Sequence, residues 1–205
     1  MRIFILVITF VMALTGQSRA QFELSPFAGY TFQHRFDVTG GEAKLGGGFS
    51  FGGTIGYRIG PGLEAEVLFS HQNNQSTANS IFLSRDVDEA TTVQYFMGGL
   101  NKIWVSRDES TNYFLGFKLG SASLSSRDNN FASITQFAVL LNGGSKYFVS
   151  EKFGLRGSAS LGIPIYESGA GLWWSPGSPT GVNREDWSPI VQFGLQVGVI
   201  YKIVL

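Results

Sequence analysis

From Val191 to the end of the chain every second residue is apolar: Val191, Phe193, Leu195, Val197, Val199, Tyr201, Ile203 and Leu205. The residues between them, Gln192, Gly194, Gln196, Gly198, Ile200, Lys202 and Val204, are mostly polar or small. Successive side chains of a strand point to opposite faces. A period of two therefore predicts a strand with one apolar face and one polar or small face. The stretch is long beside an ordinary globular strand. A tilted strand crossing a bilayer needs about 9–11 residues for the hydrocarbon and more for the rims, and this stretch supplies them.

The same alternation recurs along the chain. It predicts strands over residues 22–32, 49–59, 63–71, 92–105, 113–123, 134–148, 154–166 and 189–205. That is an all-β chain of eight strands. Its connections alternate long, short, long, short, long, short, long, and both ends fall on the short-turn side. Short turns at one rim and long loops at the other are the asymmetry of an up-and-down transmembrane barrel. The tightest turn is Gly60-Pro61-Gly62. In the fourth stretch Val93, Tyr95, Met97 and Ile103 are read as one apolar face, although Phe96, Leu100 and Trp104 lie opposite. Aromatic residues assigned outward form two bands. Tyr30, Phe32, Phe49, Phe51, Phe69, Tyr95 and Phe137 lie toward the long loops; Tyr57, Tyr113, Tyr147 and Tyr201 lie toward the short turns. Two aromatic girdles are what membrane interfaces select.

Composition agrees where it bears on this. Fifteen basic and 15 acidic residues cancel, which leaves no electrostatic case for nucleic acid. Only 15% of residues are charged, while 14% are aromatic and 27 are Gly. This suits a surface given over to lipid. Without cysteine there is no disulfide or thiol chemistry. Two histidines, His34 and His71, make no metal cluster, and no cofactor is expected. At the amino terminus Arg2, the apolar run 3–14 and Ser18-Arg19-Ala20 before Gln21 read as a secretory signal peptide. The expected organisation is a signal peptide over 1–20 and one barrel domain over 21–205.

Four pieces of the chain resemble the small eight-stranded outer-membrane β-barrel family that includes the OmpA and OmpX transmembrane domains. They are Ser25-Pro26-Phe27-Ala28-Gly29-Tyr30, the hairpin from Gly56 to Glu66, the run Lys146-Tyr147-Phe148 leading to Gly154-Leu155-Arg156, and the last strand. The last strand also resembles the assembly signal of such barrels, with Leu205 standing where an aromatic residue is usual. The resemblance implies a place in the outer membrane of a Gram-negative-type bacterium. It also implies contact with outer-membrane lipid and lipopolysaccharide, and recognition by the barrel assembly machinery through the carboxy-terminal strand. It says little of function.

An eight-stranded barrel is just wide enough to be filled by its own side chains. Inward charges must then be paired. The parity rule offers Glu23, Glu64 and Glu66 against Arg58, Lys102, Lys118, Arg156 and Lys202. Hairpin symmetry about Pro61 sets Arg58 opposite Glu64 as a cross-strand pair and leaves Glu66 free to reach Lys118 or Arg156. Arg58, Glu64, Glu66, Lys118 and Arg156 thus form the expected interior network, either a plug or an ion-pair gate. Trp173, Trp174 and Trp187 in the last long loop are the candidates for binding an external partner. Neither histidine sits in a recognisable catalytic motif. The reading is a non-enzymatic, monomeric barrel with a plugged polar interior, acting in envelope structure or surface interaction through its loops. A porin-like barrel passing small solutes and a secreted lipocalin-like barrel binding a small hydrophobe are the alternatives.

Overall fold

The computed structural model describes residues 21–38, 41–80, 87–108, 110–126, 133–165 and 191–204. The expected signal peptide lies outside the described residues. The strands are β1 (Gln21–Thr31), β2 (His34–Val38), β3 (Gly41–Gly60), β4 (Leu63–Ser80), β5 (Val87–Val105), β6 (Thr111–Ser126), β7 (Ile134–Phe148), β8 (Phe153–Ile165) and β9 (Gln192–Val204). All pairings are antiparallel. The sheet runs β1-β9-β8-β7-β6-β5-β4-β3-β2, and a further β1–β3 pairing closes it into an eight-stranded barrel. The short strand β2 stands outside the ring, on the extension of β3.

The barrel strands are those the alternation marks, with longer ends. β3 and β4 remain paired as far as Gly41 and Ser80. The stretches 33–47 and 72–90, which the alternation leaves between strands, are thus partly strand. Polarity there does not mark the end of backbone pairing.

Register shows how the barrel closes. The row starting at Phe22 passes Tyr57, Ala65, Leu100, Phe117, Leu141, Leu161 and Phe193. The Phe32 amide then donates to the Phe193 carbonyl, so the row returns to β1 ten residues on, from 22 to 32. Such a stagger tilts the strands and fixes the bore. At the β3–β4 turn Gly62 has φ 72°. Pro61 before it pre-sets the first central position, and Gly takes the positive φ that a side chain resists.

Outward faces carry the large apolar residues. Val197 is 71% exposed and Phe96 63%, and Leu115, Phe117, Leu155, Leu195 and Val199 lie open beside them. In water such a continuous apolar wall is a liability. In lipid it is the natural surface, whereas a soluble ligand-binding barrel would turn these faces inward. No helix among the described residues is long and apolar enough to cross a membrane.

β5 corrects the sequence reading. Val93, Tyr95, Met97 and Ile103 point inward and are buried, while Phe96, Leu100 and Trp104 point out. Tyr95 therefore leaves the outer aromatic girdle. Lys102 leaves the interior by the same parity and lies exposed. The reason is the company inside. Phe27, Leu68, Val93, Tyr95, Met97, Ala122, Leu124, Ala138 and Leu140 pack into one apolar layer across the bore. A strand facing that layer is apolar on both faces, and alternation alone cannot orient it.

Candidate functional site

Below the apolar layer, toward the short turns, the bore holds a charged network. Glu64 and Glu66 lie two residues apart on β4 and so share its inner face. The Glu66 carboxylate accepts from both terminal nitrogens of Arg156, at 2.5 and 3.1 Å. It also lies 3.0 Å from the Lys118 ammonium. Lys118 donates to the side-chain oxygens of Asn101 (3.0 Å) and Asn142 (2.6 Å). Asn101 in turn donates to Glu64 at 2.9 Å. Lys146 donates to Glu64 at 2.7 Å and to Glu23 at 2.6 Å. Arg156 also donates to Thr54 at 2.9 Å and lies over the Phe114 ring at 4.5 Å.

The result is one connected chain running from Glu23 through Lys146, Glu64, Asn101, Lys118 and Glu66 to Arg156. Three carboxylates face three cations, and all six side chains are buried. A buried charge is tolerable only when it is paired and its remaining hydrogen-bonding capacity is used, and here both conditions are largely met. Space for the network comes from glycine. A Cβ on Gly116 would overlap the Asn101 and Asn142 side-chain oxygens, and one on Gly56 would come 2.9 Å from the Glu64 carboxyl carbon.

The predicted residues fall into place unevenly. Glu66 is brought between Lys118 and Arg156 and meets both. The Arg58–Glu64 ion pair is corrected. The register does set Arg58 opposite Glu64. The Glu64 carboxylate, however, turns across the bore to Lys146, and Arg58 lies 3.7 Å from Glu23 near the open end, its side chain 23% exposed. The centre of the bore offers Glu64 a fully buried cation; Arg58 at the rim keeps part of its hydration. Sequence reasoning missed Lys146, although assigning Tyr147 outward places Lys146 inward by parity. It also missed Asn101 and Asn142, which carry no charge to draw attention. Lys202 faces Glu23 across β1–β9 and places its ammonium 3.4 Å from the centroid of the Phe148 ring. Trp173, Trp174 and Trp187 lie outside the described residues.

Above the apolar layer the bore-facing side chains, among the described residues, are polar and uncharged. The Tyr95 hydroxyl donates to Gln192 at 2.5 Å. The cavity there measures about 10 Å³. Ser70 faces this chamber, while His71 points outward and stacks on Phe51 at 4.9 Å. The wall thus separates these sequence neighbours. The His71 ring contacts the side-chain oxygen of Asn73 through Nε2 and the side-chain amide of Gln94 through Nδ1, which fits an imidazole protonated on Nε2. Among the described residues no group of His, Asp or Glu could hold a metal ion. In the β5–β6 turn a hydrogen bond from Ser110 holds the Asp108 carboxyl below its usual range.

The family model for the outer membrane protein beta-barrel domain matches residues 3–201. Among solved structures, Neisserial surface protein A (NspA) aligns with a TM-score of 0.59 at 16% identity, over 89% of this chain and 97% of that one. OprG from Pseudomonas aeruginosa aligns with a TM-score of 0.64 at 13% identity, over 93% of this chain and 99% of that one. At these identities the likeness is one of fold. No curated protein sequence matches the chain.

Proposed function

The chain belongs to the outer membrane protein beta-barrel domain family and resides in the outer membrane of Gram-negative bacteria, and from that premise we propose that it is a closed, non-conducting barrel serving envelope structure or surface interaction. One observation carries the reading: the bore is shut twice. The ammonium groups of Lys118 and Lys146 are fully enclosed in the ion network, and the apolar layer lies across the bore above it. An ion entering from either rim would have to displace paired charges or cross a dewetted layer. What the protein does for the cell then falls to its outer end, where β3 and β4 run on as a paired extension and where the connections between strands are long in sequence.

The partners proposed are outer-membrane lipid and lipopolysaccharide around the wall, and the barrel assembly machinery at β9. The chain is proposed to act as a monomer, without nucleic acid and without catalysis. The test is conductance of the purified barrel in planar bilayers. The wild type should stay at background, and Glu66→Ala should stay there too, since the apolar layer still closes the bore. A stable unit conductance in the wild type would replace this reading with a pore. Conductance in Glu66→Ala alone would make the network a gate.

A further inference from the structure

The lipid-facing wall is not uniformly convex. Across β6, β7, β8, β9 and β1 a groove of about 650 Å³ is cut into it. Its floor is made by outward positions with little or no side chain, chiefly Gly143, Gly157, Ala159 and Ala28, and its sides by Tyr113 and Val197. The course follows the register. Tyr113 pairs with Ser145, Ser145 with Gly157, Gly157 with Val197, and Val197 with Ala28. The row runs perpendicular to strands that are themselves tilted, so it climbs the wall obliquely. It begins beside Tyr113, in the aromatic band near the short turns, and ends beside Tyr30, in the band near the long loops. The whole course lies inside the apolar belt.

We propose that this groove seats one acyl chain of a phospholipid entering from the short-turn side. Three arguments support that occupant. The groove is continuous with the lipid-facing surface, so whatever fills it comes from the bilayer core. Its lining is mostly apolar, with Ser145 the outward hydroxyl along the row and no charged side chain, so a hydrocarbon chain fits its chemistry. Its Tyr113 end lies on the short-turn side, and in the orientation of outer-membrane barrels that side of the wall meets the periplasmic leaflet, which is made of phospholipid. A chain lying in the groove contacts the floor and the flanking Tyr113 and Val197 side chains, whereas a chain on the convex wall meets only one surface, so it gains dispersion contacts and is held longer.

Glycine geometry makes the test clean. A Cβ built on Gly157 meets no atom within 4 Å, and the same holds for Gly98, which faces lipid on β5 outside the groove. Gly157→Leu should fill the groove without strain, and Gly98→Leu serves as the control. The readout is native mass spectrometry of the barrel extracted in mild detergent, with heat-modifiable gel migration confirming the fold. The wild type and Gly98→Leu should carry one phospholipid adduct. Gly157→Leu should retain it about tenfold less, the equivalent of about two methylene groups no longer seated. Ala159→Leu, on the groove floor, should act the same way and stands in if Gly157→Leu does not fold. An equal adduct in all variants, an equal loss in Gly98→Leu, a lipopolysaccharide adduct in place of phospholipid, or no adduct on the wild type would each overturn the proposal.

Discussion

Glu66 is the residue on which the interior turns, and its removal should be the most informative single change in the barrel. In Glu66→Gln the Arg156 guanidinium loses a two-pronged carboxylate and Lys118 loses its ion pair at 3.0 Å. Removing one partner of a buried pair typically costs about 3–5 kcal/mol, because the partner's charge is left without compensation. Two features pull the figure toward the lower end. Arg156 keeps Thr54 and Phe114, and Lys118 keeps Asn101 and Asn142. The amide can also still accept a hydrogen bond. A loss of about 3 kcal/mol is expected. Replacing both members, as in Glu66→Gln with Arg156→Met, removes the orphaned guanidinium and should recover part of it. The coupling between the two positions should be about 2 kcal/mol. The assay is urea unfolding of the barrel in lipid vesicles, followed by tryptophan fluorescence, over the four members of the double-mutant cycle. Additive effects, with no coupling within about 0.5 kcal/mol, would refute the pair and with it the account of the network.

The corrected partner of Glu64 can be tested in the same way. Lys146→Met leaves Glu64 and Glu23 facing each other without their cation and should cost about 3 kcal/mol. Arg58→Met removes a long, part-hydrated contact at the rim and should cost about 1 kcal/mol or less; the reverse order would restore Arg58 as the partner. The orientation of β5 is open to a similar comparison. Phe96→Arg places a charge on the lipid face and should cost about 2–4 kcal/mol near the midplane. Tyr95→Phe loses one buried hydrogen bond to Gln192 and should cost about 1 kcal/mol; folded yields ranked the other way would mean that the faces are exchanged.

Much of this architecture is written locally. Period-two alternation is a property of neighbouring residues, so β1, β6, β7, β8 and β9 could be drawn from sequence nearly to their observed ends. The tight turn needs only Pro61 and Gly62, and its symmetry alone sets Arg58 against Glu64, as the register has it. The inward set of Glu23, Glu64, Glu66, Lys118 and Arg156 follows from the same parity. Tertiary structure decided what parity leaves open. β5 is apolar on both faces, and its orientation was chosen by Phe27, Leu68, Leu124 and Leu140, which come from other strands. Ion partners were chosen by the stagger of the closed sheet, which swings Lys146 from β7 across to Glu64 on β4 while leaving Arg58 at the rim. Alternation reports only how residues of one strand divide between two faces. Which face is inside, and which charge lies across the bore, are facts about distant strands at a set tilt, and these exist only once the barrel is closed.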